Sequence, residues 1–218
     1  MTPAIIKTLI EHAEQEPIVG YFGYGSLVNE DTLRTKYIAS IPATLLNWQR
    51  MWDIPIGKNF DDLDISLLTS RPVEKSITTG VIVFDRASNL PQVDERETNY
   101  DRHKLDLDGL NSSVDLSQIP CDFYVYEAQK NPMQPDPRPP ILQSYLDAVL
   151  QGFLRIYGNK GVEDFVNDTA NFHTPILQDR NTPKYPRSVQ LKPEERDLID
   201  YILHSRSDIS FIPFKQAL

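Results

Sequence analysis

Apolar positions recur at helical spacing over residues 3–16, where Ile5, Ile6, Leu9, Ile10 and Ala13 share a face before Pro17 ends the run. Residues 18–24 read as a buried strand that runs into Gly25 and Ser26. Asn29 then serves as a cap for a short helix over 30–37. Strands are predicted over 44–52, 65–68 and 78–84, the last from the compact run Val81-Ile82-Val83-Phe84. A polar helix spans 89–102, a turn-rich loop 106–118 and a further strand 121–127. Five prolines among the ten residues 131–140 impose an extended surface loop. Helices follow over 141–157, closed by Gly158, and over 162–168. Residues 171–187 carry no periodicity, and a last helix covers 193–205 with Pro193 in its first turn.

Strands and helices mix without a βαβ rhythm, and no segment repeats, so the pattern predicts a single α+β domain over 1–218. Composition narrows the function. The chain has 31 Asp+Glu against 22 Lys+Arg, a formal net charge of −9. That surplus argues against a nucleic-acid partner, which needs a basic footprint, and against an anionic membrane surface. No apolar run reaches the roughly 20 residues of a membrane span. The first residues lack the basic-then-apolar order of a secretory signal. One cysteine, Cys121, excludes an internal disulfide, and the four histidines, His12, His103, His173 and His204, show no ligand spacing. The expectation is a cytoplasmic protein without metal or cofactor, as a monomer or small homo-oligomer.

Candidate chemistry sits in two places. In Tyr21-Phe22-Gly23-Tyr24-Gly25-Ser26-Leu27, a buried strand ends in closely spaced glycines, a hydroxyl and a helix start. Successive backbone N–H groups in such a turn can cradle an anion or an oxyanion. A dinucleotide fingerprint would need glycine at Val28, a phosphate loop would need Gly-Lys-Ser/Thr, and a nucleophile elbow would need glycine at Tyr24 and Val28. All three fail, which disfavours a serine hydrolase built on Ser26. A plain strand-to-helix turn stands as the alternative to a ligand loop. The second place is Asp94-Glu95-Arg96-Glu97-Thr98-Asn99-Tyr100-Asp101-Arg102. On a helix Val93, Glu97 and Tyr100 share a face, which carries Glu97 inward. Apolar burial raises a carboxylate's pKa and suits it to general-base work. The alternative is a solvated helix whose Arg96 and Arg102 pair with neighbours.

Taken in order, these motifs resemble the γ-glutamylcyclotransferase-like family, in its bacterial and ChaC-related branches. The matching pieces are Phe22 to Leu27, Asp94 to Glu97 with Tyr100 and Arg102, and Pro139-Pro140-Ile141-Leu142-Gln143-Ser144-Tyr145. The resemblance covers about 20–158 and leaves 159–218 as a helical C-terminal extension. It implies a small, mixed, β-barrel-like sheet surrounded by helices, and an enzyme that releases 5-oxoproline from a γ-glutamyl compound. It also implies that Tyr24, Gly25, Ser26 and Leu27 hold the γ-glutamyl group, that Glu97 is the acid/base, and that Tyr145 places its hydroxyl near it. Trp48 and Arg50 look like the family's Trp-x-x-Arg element, with Arg50 either touching substrate or serving a structural ion pair. Leu27 after the serine favours the Leu-bearing branches, and 106–140 matches poorly.

The implied reaction suits these residue types. The substrate's own α-amine attacks its γ-carbonyl, Glu97 takes the amine's proton and returns it to the leaving amine, and turn N–H groups stabilise the oxyanion. Glutathione, a γ-glutamyl-amino acid and a γ-glutamylamine are all compatible substrates. A non-catalytic relative that uses the pocket to bind a metabolite is the alternative. The segment Arg180-Asn181-Thr182-Pro183-Lys184-Tyr185-Pro186-Arg187 reads as proline-stiffened packing without assigned chemistry.

Overall fold

The computed structural model describes residues 2–33, 35–56, 59–60, 63–133 and 135–214. Arg34 of the predicted helix 30–37 and Gln134 of the proline-rich stretch lie outside them. The fold is mixed α+β, as the sequence predicts. Its main sheet is built from β1 (Ile18–Gly23), β2 (Ala39–Asp53), β5 (Leu67–Arg86), β6 (Tyr100–Leu105), β7 (Leu110–Ser112) and β8 (Asp122–Ala128), in the order β6-β8-β1-β5-β2-β7. β1 runs parallel to β8 and every other neighbour pair is antiparallel. The two end strands do not pair with each other among the described residues, so the sheet is open rather than a closed barrel. A small hairpin, β3 (Asn59–Phe60) with β4 (Leu63–Asp64), interrupts the link between β2 and β5. A second sheet of three short parallel strands joins β9 (Ile141–Leu142), β10 (Ile176–Gln178) and β11 (Phe211–Pro213). The helices are α1 (Thr2–Gln15), α2 (Leu90–Arg96), α3 (Gln143–Asp168) and α4 (Pro193–His204).

Several elements depart from the periodicity reading. The predicted strands 44–52 and 78–84 lie within β2 and β5, which pair along most of their length around an irregularity at Asn47 (φ 60°), and of the predicted 65–68 only Leu67 and Leu68 belong to β5. The predicted helix 30–37 is only a 3-10 turn over Glu30–Thr32. There Thr32 bonds its hydroxyl back to the Ser26 and Asn29 carbonyls, a local alternative to helix extension. The predicted helix 89–102 stops at Arg96. Asn99 turns into the left-handed region at φ 69°, which asparagine tolerates, and Tyr100 opens a strand paired with Ala128. Within 106–118, read as loop, Leu110–Ser112 form an edge strand. The predicted helix 141–157 begins two residues late, because Ile141 and Leu142 pair with Ile176 and Leu177 as β9, and from Gln143 it joins the predicted 162–168 in one element, α3, kinked where Gly158 takes φ 68°.

α3 is the spine of the fold. Leu146, Val149, Leu150, Phe153, Phe165 and Val166 along it are buried in the same apolar cluster as Tyr21, Phe22, Val81, Ile82 and Val83 of the sheet. It also touches the 3-10 turn Ser26–Val28 that follows β1. Asn29 is fully buried there, and its Nδ2 donates to the Ala148 carbonyl at 2.8 Å and to Gln151 Oε1 at 3.0 Å. Gly152 makes this approach possible: a Cβ at that position would lie 2.7 Å from the Asn29 backbone nitrogen and 2.9 Å from its Cα.

The tail beyond α3 is anchored by charge. Arg180 bonds Asp147 at 2.7 and 2.8 Å and Asp200 at 2.8 Å, joining α3, the tail and α4. The fully buried Asp179 accepts from Ser144 N at 2.8 Å and from Lys184 N at 2.9 Å.

Replacing Gly152 with Ala sets two effects against each other. Alanine gains about 1 kcal/mol of helix propensity. Overpacking against backbone costs about 1–3 kcal/mol, and more where the backbone must separate. The clash wins. The expected outcome for Gly152→Ala is a melting temperature lower by several degrees. Gly109→Ala, whose Cβ meets nothing within 4 Å, should melt as the wild type does. Thermal unfolding followed by circular dichroism measures both.

Candidate functional site

The turn after β1 presents its backbone because of how it is capped. Gly25 precedes the 3-10 turn, and the turn's first hydrogen bond runs from Val28 N to Gly25 O at 3.0 Å. The N–H groups of Ser26 and Leu27 therefore have no acceptor inside the turn, as at any helix start. A side chain at Gly25 would crowd the site: its Cβ would lie 3.3 Å from both Leu68 Cδ1 and the Tyr145 hydroxyl oxygen.

Glu97 reaches the same place by a route the helical spacing did not anticipate. It caps the C-terminus of α2, with its N–H on the Val93 carbonyl at 2.9 Å, and Tyr100 N bonds back to the Glu97 carbonyl at 2.9 Å. The reversal at Asn99 brings both side chains to one cavity even though they do not share a helix face. Asp94 ties α2 to the sheet, accepting from Arg102 Nη1 at 2.9 Å and from the Tyr126 hydroxyl at 2.7 Å.

The cavity encloses about 40 Å³ and is lined by Phe22, Tyr24, Gly25, Ser26, Leu27, Leu68, Glu97, Tyr100, Tyr126 and Tyr145. Six of the residues singled out in the sequence, Tyr24 to Leu27, Glu97 and Tyr145, thus meet in one small space. No histidine lines it among the described residues. The Glu97 carboxyl is 15% exposed and its Oε1 accepts from Arg96 Nε at 3.0 Å. Arg96 also donates from Nη1 to the Thr32 carbonyl at 2.9 Å and from Nη2 to Ser26 Oγ at 3.2 Å. One guanidinium therefore holds the carboxylate and the turn at a fixed separation. As the neighbour of Glu97 in an acidic stretch, Arg96 reads as an ordinary surface pairing residue. What shows its role is the side chain's burial, to 9% exposure, which spacing alone does not reveal.

Three phenols surround the carboxylate, and all are pushed above the ordinary phenol range. For Tyr24 the cause is first burial and then the Glu97 charge. Burial also leads for Tyr100 and Tyr145, followed by neighbouring tyrosines and Glu97. They stay protonated, but their protons differ in use. Tyr24 donates to the Tyr126 carbonyl at 2.6 Å and Tyr100 to the Leu68 carbonyl at 2.7 Å. The Tyr145 hydroxyl forms no hydrogen bond among the described residues. Its ring packs on Tyr185, centroids 4.9 Å apart, and edge-on to Trp52 at 5.8 Å.

Arg50 and Trp48 lie elsewhere. Arg50 is 3% exposed and sits behind the turn rather than in the cavity. Its Nε donates to Thr169 Oγ1 at 2.8 Å and its Nη1 to the Thr79 carbonyl at 2.8 Å and the Tyr24 carbonyl at 3.5 Å. The guanidinium lies over the Phe165 ring at 4.1 Å. Burial pulls its pKa down to about 9, with Asp168 opposing. Trp48 packs on His103, ring centroids 6.1 Å apart.

No family model and no curated protein matches the chain. Solved structures do. An uncharacterized human protein aligns over 85% of this chain and 99% of its own at 16% identity, with a TM-score of 0.52. A structure titled gamma-glutamyl cyclotransferase aligns over 84% of this chain and 99% of its own at 16% identity, with a TM-score of 0.51. The chain has the γ-glutamyl cyclotransferase-like fold.

Arg96→Ala removes a cation that serves three elements. Hydrogen bonds to charged groups contribute about 1.5–3 kcal/mol where partners are left unpaired. The expected loss is about 2–3 kcal/mol, a melting temperature lower by about 4–12 °C at this chain length. Arg102→Ala, whose pair with Asp94 is 31% and 43% exposed, should cost under about 1 kcal/mol. Urea unfolding of the two variants beside the wild type checks the contrast.

Proposed function

We propose that the protein is a γ-glutamyl cyclotransferase that releases 5-oxoproline and a free amine from a γ-glutamyl compound. The observation that carries the reading is that Glu97, the turn residues Gly25, Ser26 and Leu27, and Tyr145, whose hydroxyl is uncommitted among the described residues, line one cavity. The similarity to a structure titled gamma-glutamyl cyclotransferase supports the reading at the level of fold.

The residues suit the chemistry step by step. At neutral pH the substrate's α-amine is an ammonium and cannot attack. The Glu97 carboxylate accepts one of its protons. The freed nitrogen adds to the γ-carbonyl carbon, closing a five-membered ring, and the carbonyl oxygen becomes an oxyanion. Backbone N–H groups of the turn donate to that oxygen, and such a donor is worth about 100- to 1000-fold in rate. The bond from the γ-carbon to the leaving nitrogen then breaks as Glu97 returns its proton to that nitrogen, and the second proton still on the ring nitrogen passes through Glu97 to the departing amine, which leaves as an ammonium with a neutral lactam behind it. No covalent bond to the protein forms. The Tyr145 hydroxyl has its proton available for the substrate, whereas the Tyr24 and Tyr100 protons are bound to backbone carbonyls. Both reactants belong to one molecule, so a site that holds the γ-glutamyl chain folded on itself supplies most of the remaining acceleration through proximity.

Glu97→Gln keeps the size of the side chain but cannot take the proton. It is expected to lower 5-oxoproline release by at least about 100-fold while the protein melts within a few degrees of the wild type. Tyr145→Phe should slow the reaction by about tenfold without stopping it. Mass spectrometry of 5-oxoproline across a γ-glutamyl panel reads both. Near-normal turnover by Glu97→Gln would refute the mechanism, and no product from any panel member with the wild type would refute the activity.

A further inference from the structure

The enclosed space beside Glu97 is too small for a whole γ-glutamyl compound, and a second, larger cavity adjoins it. That cavity holds about 520 Å³ and shares Leu27 with the first. Leu27, Leu33 and Val93 supply its apolar lining, and Arg96 and Arg187 bring two guanidiniums to it. Glu95, an exposed residue of α2, is its one carboxylate among the described lining residues.

The two guanidiniums are not equivalent. Arg96 is committed to Glu97, Thr32 and Ser26. Among the described residues Arg187 donates only from Nε, to the Tyr185 hydroxyl at 3.0 Å, and lies over that ring at 5.1 Å. It makes no ion pair among the described residues. Its place is built rather than incidental. Asp179 and Arg180 pin the tail to α3, and Ser144 Oγ accepts from Tyr185 N at 3.2 Å. The Tyr185 ring then fixes Arg187 on one side and packs on Tyr145 on the other.

We propose that this cavity receives the leaving half of the substrate, and that this half bears a carboxylate bound by Arg187. The inference rests on the cyclotransferase reading above and specifies its substrate class: a γ-glutamyl amino acid or peptide with a free carboxylate, in preference to a γ-glutamyl alkylamine. A guanidinium with free N–H groups matches a carboxylate with two parallel hydrogen bonds. A cationic leaving group would meet two like charges. The apolar wall of Leu27, Leu33 and Val93 takes the carbon skeleton between the reacting amide and the carboxylate.

The test compares γ-glutamyl-alanine with γ-glutamylethylamine, which lacks only the leaving half's carboxylate. The wild type is expected to prefer the alanine compound by about tenfold or more in kcat/KM. Arg187→Gln should reduce that preference to about twofold or less, mainly through KM, and Arg187→Lys should retain part of it. A preference unchanged in Arg187→Gln, or an equal loss on both substrates, overturns the proposal. An equal loss would mean that Arg187 acts through packing or on the α-carboxylate common to both. The wild type alone gives a second measurement should the variant not fold. Raising salt to about 0.5 M should raise KM for γ-glutamyl-alanine more than for γ-glutamylethylamine, and an equal response also overturns the proposal. Turnover of both compounds without preference defeats this inference alone. Turnover of neither, with no product from the wider panel, defeats the cyclotransferase reading and this inference with it.

Discussion

The buried amide of Asn29 is the contact on which the site's geometry depends. Its side chain reaches into α3 at Ala148 and Gln151, and the helix accommodates it only because Gly152 has no Cβ. An amide with no exposed surface must be hydrogen-bonded or it costs about 1–3 kcal/mol, so the turn after β1 has one stable seat on the helix. The line continues. Gln151 Nε2 donates to Glu195 Oε2 at 2.8 Å, and the same oxygen accepts from Lys192 N at 2.9 Å to cap α4. One chain of polar contacts therefore registers the turn, the long helix and the last helix against each other. Arg96 adds α2 to this frame through Thr32 and Ser26. The position of Glu97 follows from contacts made far from it in sequence.

The net charge of −9 has a different meaning at the site than over the whole chain. Surface carboxylates are screened within about 8–10 Å at ordinary ionic strength. The space around Glu97 is dominated by what is close: one guanidinium and neutral phenols. The phenols are held neutral by burial and by Glu97 itself, so adding a tyrosine there adds a dipole without adding a charge. The acidic composition therefore does not weigh against the carboxylate-bearing substrate proposed above. The favourable field is local, supplied by Arg96 and Arg187 rather than by overall composition.

How much of this is legible in the sequence depends on the range of the interaction involved. The turn Tyr24 to Leu27 is local, written in glycines and a hydroxyl, and it lies where the strand pattern puts it. The helix over 89–102 is misread because pairing between Tyr100 and Ala128, with Asn99 in the left-handed region, overrides helical periodicity. Glu97 still points inward, but as a helix C-cap. The tail is the least legible. Its eight residues from Arg180 to Arg187 carry no periodicity because two prolines, Pro183 and Pro186, and the neighbouring charges serve contacts with Asp147, Ser144 and Asp200 instead of a regular element. Arg50 shows the converse limit. A Trp-x-x-Arg spacing does not tell a residue in the cavity from one behind it, and here the guanidinium is spent on Thr169, Thr79 and the Tyr24 carbonyl.

The tail also explains why one tyrosine among several keeps its hydroxyl free. Tyr24, Tyr100 and Tyr126 belong to strands or strand ends, and each finds a carbonyl or carboxylate within reach across the sheet. Tyr145 projects from the first turn of α3, where its ring is clamped between Trp52 and Tyr185. Both contacts are aromatic, and neither gives the Tyr145 hydroxyl an acceptor. A ring fixed on two sides cannot swing to find one, so the hydroxyl is left facing Gly25 across the cavity. Position and a hydroxyl that forms no hydrogen bond among the described residues together distinguish Tyr145 from the other phenols of the cavity, and on them rests the role proposed for it.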